Sequence, residues 1–237
     1  MKSFRDLLMP YIEEDFREFT KRTIPCETEI LGVRIPTIRK IAKSIPKEDF
    51  QIFLEAPTDS LEEVLARGFL ISRLPYEEMI DYFDSQIQLV DNWAAVDTFC
   101  ASLRKTLKSH EADFLEKKVE PLLQSSKEYV TRTGVVCLLD FYVREEYLQQ
   151  VFEYITKLGN RQEYYVKMAL AWLIAECYTK FPSETLEFME DAAIDKWTLN
   201  KSISKICDSY RVSGEMKDEA RKLRKAMNHS FILTDKK

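Results

Sequence analysis

Five apolar stretches of helical length recur along the chain at intervals of roughly 30 to 40 residues, the size of one helix pair in a helical-repeat array. They run over 60–74, 91–107, 129–144, 164–181 and 196–211. Each follows a polar or proline-bearing connection, such as Ala56-Pro57-Thr58-Asp59, Gln124-Ser125-Ser126-Lys127 or Leu158-Gly159-Asn160-Arg161. Within the stretches apolar residues fall three and four apart, as in Val135, Leu138, Leu139 and Tyr142, or Val166, Leu170, Leu173, Ile174 and Cys177, so one face of each packs inward. Five glycines and eight prolines in 237 residues are too few for the tight turns of an all-β chain. The expected fold is all-α: helical hairpins stacked into a solenoid, with a concave groove as its working surface.

Small residues recur near the middle of these helices, at Ala66 and Gly68, Ala94 and Ala95, Gly134, and Ala169 and Ala171, where they let neighbouring helices approach closely. Ser60 before Leu61-Glu62-Glu63 reads as a capping box, and Ser183-Glu184 after Pro182 opens another helix. Pro46, Pro75, Pro121 and Pro182 mark the joints. With no low-complexity tract or linker in between, residues 1–227 are expected to form a single repeat domain, followed by a loose tail over 228–237.

Several chemistries are disfavoured. Five cysteines without close pairs make no disulfide framework and suit a reducing compartment. Cys100, Cys137, Cys177 and Cys207 fall one per repeat on apolar faces, as core thiols do. Two histidines and no Cys/His spacing leave no metal site, and neither a dinucleotide nor a P-loop fingerprint is present, so no cofactor is expected. The first twenty residues are charged and lack a signal-peptide core, and no apolar run is long enough for a bilayer, which points to a cytoplasmic protein without membrane attachment. A net charge of −5 tells against coating nucleic acid by bulk electrostatics and requires any DNA-binding surface to be a local one.

What stands out is a set of residues at similar places on successive repeats. Trp93 and Asp97, four apart, share one helical face, and an aromatic plane beside a carboxylate can host a cation. Arg132 and Trp172 follow in the next repeats. Each also has a plain structural explanation. Trp93 suits packing between repeats, and Asp97 suits a solvated helix face. Arg132 can pair with Asp140 or Glu128, and Trp172, between Ala171 and Leu173, can belong to the core.

The chain resembles the AlkD family of HEAT-like repeat alkylpurine DNA glycosylases, within the DNA alkylation repair proteins. The matching pieces are Ile30 to Arg39 with its Leu31-Gly32 and Pro36, Asn92-Trp93-Ala94-Ala95-Val96-Asp97, Tyr129-Val130-Thr131-Arg132, and Tyr165 to Trp172. They occur in the family's order, and the resemblance covers about Leu31 to Tyr210. The resemblance implies a HEAT-like solenoid in which Asp97 is the catalytic carboxylate, Trp93 and Trp172 contact the sugar and backbone at a lesion, and Arg132 holds a phosphate. Lys167, with Lys201, Lys205 and Arg211, is a further candidate for the groove.

The implied reaction is hydrolysis of the N-glycosidic bond of a cationic N3- or N7-alkylated purine in duplex DNA, without strand cleavage, by a monomeric protein. Ring alkylation makes the base a good leaving group. A preorganised carboxylate stabilises the oxocarbenium-like sugar and can position water. Two departures bear on this. Phe4 to Thr23 reads as one helix where active members carry two, as in a subgroup lacking the DNA-contacting second helix, and Ala175 stands where active members tend to carry arginine. A module that binds DNA structures or protein partners without catalysis is therefore the alternative.

Overall fold

Residues 3–234 are described by a computed structural model, with side-chain burial given through residue 225. In chain order the helices are α1 (Phe4–Leu8), α2 (Glu14–Thr23), α3 (Ile35–Ser44), α4 (Phe50–Glu55), α5 (Leu61–Ile71), α6 (Tyr76–Ile87), α7 (Trp93–Ser102) and α8 (Arg104–Leu107). They continue as α9 (Glu111–Phe114), α10 (Glu120–Leu123), α11 (Glu128–Cys137), α12 (Leu148–Leu158), α13 (Tyr164–Lys180), α14 (Pro182–Asp191), α15 (Lys196–Asp208) and α16 (Gly214–Thr234). One isolated bridge, Glu29 to Ser60, is the extended pairing among the described residues. The expectation of an all-α helical-repeat fold holds: α5, α7, α11, α13 and α15 are the five recurrent stretches.

The chain divides into two compact units, Met1–Thr133 and Gly134–Lys237, where the sequence suggested one domain over 1–227. The division falls within α11. Helix α16 carries helical backbone through Thr234, into the span expected to be a loose tail, and 235–237 lie outside the described residues. The stretch from Phe4 to Thr23 is two helices. Pro10 lies in a single tighter turn over Met9–Tyr11, where its missing N–H ends α1, and the chain restarts as α2 after extended Ile12 and Glu13.

In the first unit α5 is the centre: it packs against α3 on one side and α7 on the other, and all of its residues are buried. Ser60 caps it, its hydroxyl accepting from the Glu63 N–H at 3.3 Å and donating to Glu63 Oε2 at 2.8 Å. The small residue Gly68 is what the close α5–α7 approach needs, since a Cβ there would lie 3.0 Å from the Phe99 ring and 3.2 Å from the Gln86 amide. Arg67, buried in the same helix, donates to the Leu54 carbonyl, Gln86 Oε1 and Ser85 Oγ, so its charge is enclosed but hydrogen-bonded.

In the second unit α13 and α15 lie side by side, with α14 and α16 packed behind them. Pro182 opens α14 at its first turn, where a missing N–H costs nothing. Cys100, Cys137 and Cys177 are buried as expected, whereas Cys207 and Cys26 are half-buried, and none of the five is in a disulfide. Among the described residues no helix is long and apolar enough to cross a membrane, and no cluster of side chains suits a metal ion.

Candidate functional site

The site begins with the cap of α7. Asn92, fully buried, accepts from the Ala95 N–H at 2.9 Å and so closes the helix start. Its amide donates to Asp91 Oδ1 at 2.7 Å, and Asp91 Oδ2 accepts from the N–H groups of Glu27 and Thr28 and from the Thr28 hydroxyl. Burial raises the Asp91 pKa, but the donors of Thr28 and Asn92 outweigh it and hold the carboxyl below its usual range. The start of α7 is thereby tied to the chain segment ahead of α3. This fixes Trp93 as the first helical residue and Asp97 one turn further, both half-buried and neither sealed from solvent.

Arg132 in α11 reaches across to Asp97. Its Nε and Nη2 donate to Asp97 Oδ1 at 3.1 and 2.9 Å, and Nη2 also donates to Oδ2 at 2.9 Å. The guanidinium is only 6% exposed and the carboxylate 22% exposed. A planar fork on a carboxylate fixes the plane of the acid as well as its position. The pair joins two of the residues singled out from sequence. Arg132, implied to hold a phosphate, is turned onto Asp97. The reason is burial: a cation this enclosed needs a countercharge within the protein.

Trp172 and Lys167 both lie on α13, in the second unit. Trp172 is half-buried and lines a cavity of about 290 Å³ with Ala175, Glu176, Lys205 and Arg211. Ala175 thus leaves space beside the indole. Arg211 binds Glu176 through both guanidinium nitrogens, and Lys180 adds a contact at 3.6 Å, so Glu176 keeps a lowered pKa although burial opposes it. Lys167 is not presented as a surface cation. Its Nζ lies 2.8 Å from Asp195 Oδ1 and 5.0 Å from the Trp197 ring centre, with the side chain 14% exposed. Its pairing with Asp195, the cap of α15, gives it a structural role, and Trp197 takes part in that cluster.

Sequence reading missed Glu62. This buried carboxylate on α5 accepts from the consecutive N–H groups of Leu31, Gly32 and Val33 at 2.9, 2.7 and 3.1 Å. Gly32 has φ +93°, and a Cβ there would come within 2.6 Å of Arg17 Cβ and 2.7 Å of the Glu13 carbonyl oxygen. The Leu31-Gly32 motif is therefore a structural clasp. A glutamate beside the capping-box Glu63, at the second position of an otherwise largely apolar helix, was the available signal. Also missed were cations of α3, of the turn after α5 and of α8 and its end, which lie in three separate segments and converge only on folding.

The fold and this paired site define an all-α helical-repeat protein with a half-buried, arginine-fixed aspartate. A family model described as DNA alkylation repair enzyme matches residues 2–206, and the chain belongs to that family. Among solved structures it is similar to a predicted DNA alkylation repair enzyme of Enterococcus faecalis, with a TM-score of 0.65 and 15% identity over 82% of this chain and 94% of that one. It is also similar to AlkD2 of Streptococcus mutans, with a TM-score of 0.58 and 14% identity over 81% and 96% of the two chains. At such identities these likenesses speak to the fold alone. No curated protein sequence matches the chain.

Proposed function

We propose that the protein is a monofunctional alkylpurine DNA glycosylase that removes cationic N3- or N7-alkylated purines from duplex DNA, with Asp97 as its working carboxylate. The observation that carries this reading is the geometry of Asp97: a partly exposed carboxylate, oriented by Arg132 and one helical turn from the half-exposed indole of Trp93. Departure of a cationic base leaves positive charge on the deoxyribose. A carboxylate already fixed in place lowers the energy of that charge without reorganising, and an adjacent indole face adds cation–π attraction. Arg132 acts through Asp97 by holding its plane. Membership of the DNA alkylation repair enzyme family supports the substrate class.

Incubation with duplex DNA methylated on ring nitrogens, followed by chromatography of released bases, tests the proposal. It requires 7-methylguanine or 3-methyladenine in the soluble fraction and intact strands. A second reading is favoured by the same ion pair, because Arg132 offsets the charge of Asp97. In that reading the protein binds DNA without catalysis. Duplex binding with no base released at any enzyme concentration selects it.

A further inference from the structure

The first unit carries a groove of about 430 Å³ between α4 and α6, and no residue of the Asp97 site lines it. Phe50, Leu54 and Leu74, all buried, give it an apolar floor. Glu48, ahead of α4, and Glu78 of α6 are exposed carboxylates in its lining, with the half-buried Tyr82 one turn after Glu78. Two arginines hold its frame. Arg67 of α5 donates to the Leu54 carbonyl at the end of α4 and to Ser85 and Gln86 of α6, which ties the two sides together. Arg73 also lines the groove, but its guanidinium lies 4.5 Å over the Phe50 ring and donates to the carbonyls of Ala42 and Ile45.

Residues 47–88 hold ten carboxylates and three cations, in a chain whose net charge is −5. With Arg67 and Arg73 committed to the frame, Lys47 is left as the segment's exposed cation against Glu48, Glu77, Glu78, Asp81 and Asp84. The helix dipole favours Glu77 and Glu78 in the first turn of α6. It does not account for Asp81 and Asp84 further along, and Glu77 and Asp81, one turn apart, repel each other in a helix that has no basic residue. Lys118 meets Asp84 at 2.7 Å, but among the described residues no cation pairs with Glu48, Glu78 or Asp81. The repulsion along this rim is a cost that a cationic partner removes.

We infer that this groove receives a lysine- or arginine-bearing amphipathic helix of a partner protein. Its apolar side chains would rest on Phe50, Leu54 and Leu74, and its cations would meet Glu48, Glu78 and Asp81. Glu78 and Asp81, three apart on α6, have Cβ atoms about 5 to 6 Å from each other, which is the spacing of side chains three or four apart on a facing helix. Nucleic acid is disfavoured as the occupant, since the exposed carboxylates repel phosphates. A second copy of the chain is disfavoured by shape: the cations that this unit gathers in one place line a hollow, and a hollow cannot fill a groove. A small cation would find charge here but no convergent, buried polar groups to orient it. The inference does not depend on the glycosylase reading.

The test uses the full chain and fluorescence anisotropy of labelled peptides of about 18 residues, long enough to form a helix on the surface. One is a leucine–lysine peptide with its leucines three and four apart, the second has the same composition scrambled so that no apolar face forms, and the third carries glutamate in place of lysine. Wild type is compared with E48Q/E78Q/D81N and with E184Q/E187Q/E190Q, which removes equal charge from exposed carboxylates of α14. The amphipathic leucine–lysine peptide is expected to bind wild type saturably with a Kd of about 1 to 50 μM, at least about tenfold more tightly than the scrambled one, and the glutamate peptide not at all. The groove variant should lose about tenfold or more in affinity while the α14 variant binds as wild type. Absence of saturable binding by the amphipathic peptide, equal affinity for the scrambled peptide, or equal losses in the two variants overturns the inference. Self-association of wild type in sedimentation velocity that the groove variant abolishes also overturns it, in favour of a second copy as the occupant.

Discussion

Arg132 and Asp97, thirty-five residues apart, meet through three N–H···O bonds of 2.9 to 3.1 Å, and the cation is the more buried of the two. The two partners are therefore not equivalent. Asp97→Ala strands an enclosed guanidinium and is expected to cost about 3 kcal/mol, whereas Arg132→Ala leaves a carboxylate with some access to water and costs less. The double variant should lose less stability than the two single losses added. Urea denaturation of the four proteins checks this, and strictly additive losses would show that the two groups do not interact.

The Glu62 clasp gives a second expectation. Glu62→Gln keeps one acceptor oxygen and points an amide at the Leu31–Val33 N–H groups, leaving at least one buried donor unpaired at a cost of about 1–3 kcal/mol. Gly32→Ala meets both a positive φ and a 2.6 Å approach to Arg17 Cβ, and is expected to cost at least as much. Thermal unfolding followed by circular dichroism measures both. An unchanged midpoint for Gly32→Ala contradicts the clasp.

Asp91 makes the molecule sensitive to acid. Its pKa in the folded chain lies below the ordinary 3.8, because Thr28 and Asn92 donors outweigh burial, so the folded state binds its proton less readily than the unfolded chain. Its contribution is present in full well above pH 3.8 and is lost as pH falls through the lower folded value. Asp91→Asn should flatten the decline of stability in that acid range relative to wild type. An identical acid profile for the variant argues against the role.

Thiol reactivity follows burial. The Cys177 thiol is pushed up to about 12 by burial, and Cys100 and Cys137 are 0% exposed, so in the native state at mildly alkaline pH these should resist alkylation. Cys26 and Cys207, half-buried, should be modified first. Mass spectrometry of peptides after brief iodoacetamide treatment reads the order, and early labelling of Cys177 contradicts it.

The helices of the repeats were legible because their apolar period is local: Val166, Leu170, Leu173 and Cys177 mark α13 without any tertiary information. Trp93 and Asp97 were legible as a pair for the same reason, being one turn apart. The partner of Arg132 was not. Asp97 lies thirty-five residues away in sequence, and its meeting with a buried guanidinium is decided by packing between repeats. The pairing of Lys167 with Asp195 was equally out of reach, since it is a contact between α13 and the cap of α15. The break of the first helix was written in Pro10 and overlooked because the surrounding residues favour helix.

Single-turnover release of 7-methylguanine from methylated duplex, by wild type and by Asp97→Asn confirmed as folded, tests the working role of this carboxylate. The amide keeps the shape of the side chain and removes its charge, so release by the variant should fall by about a hundredfold or more while duplex binding is retained. Equal rates for the two proteins, or no release by wild type, would contradict the assignment of Asp97 as the group that stabilises the departing base's sugar.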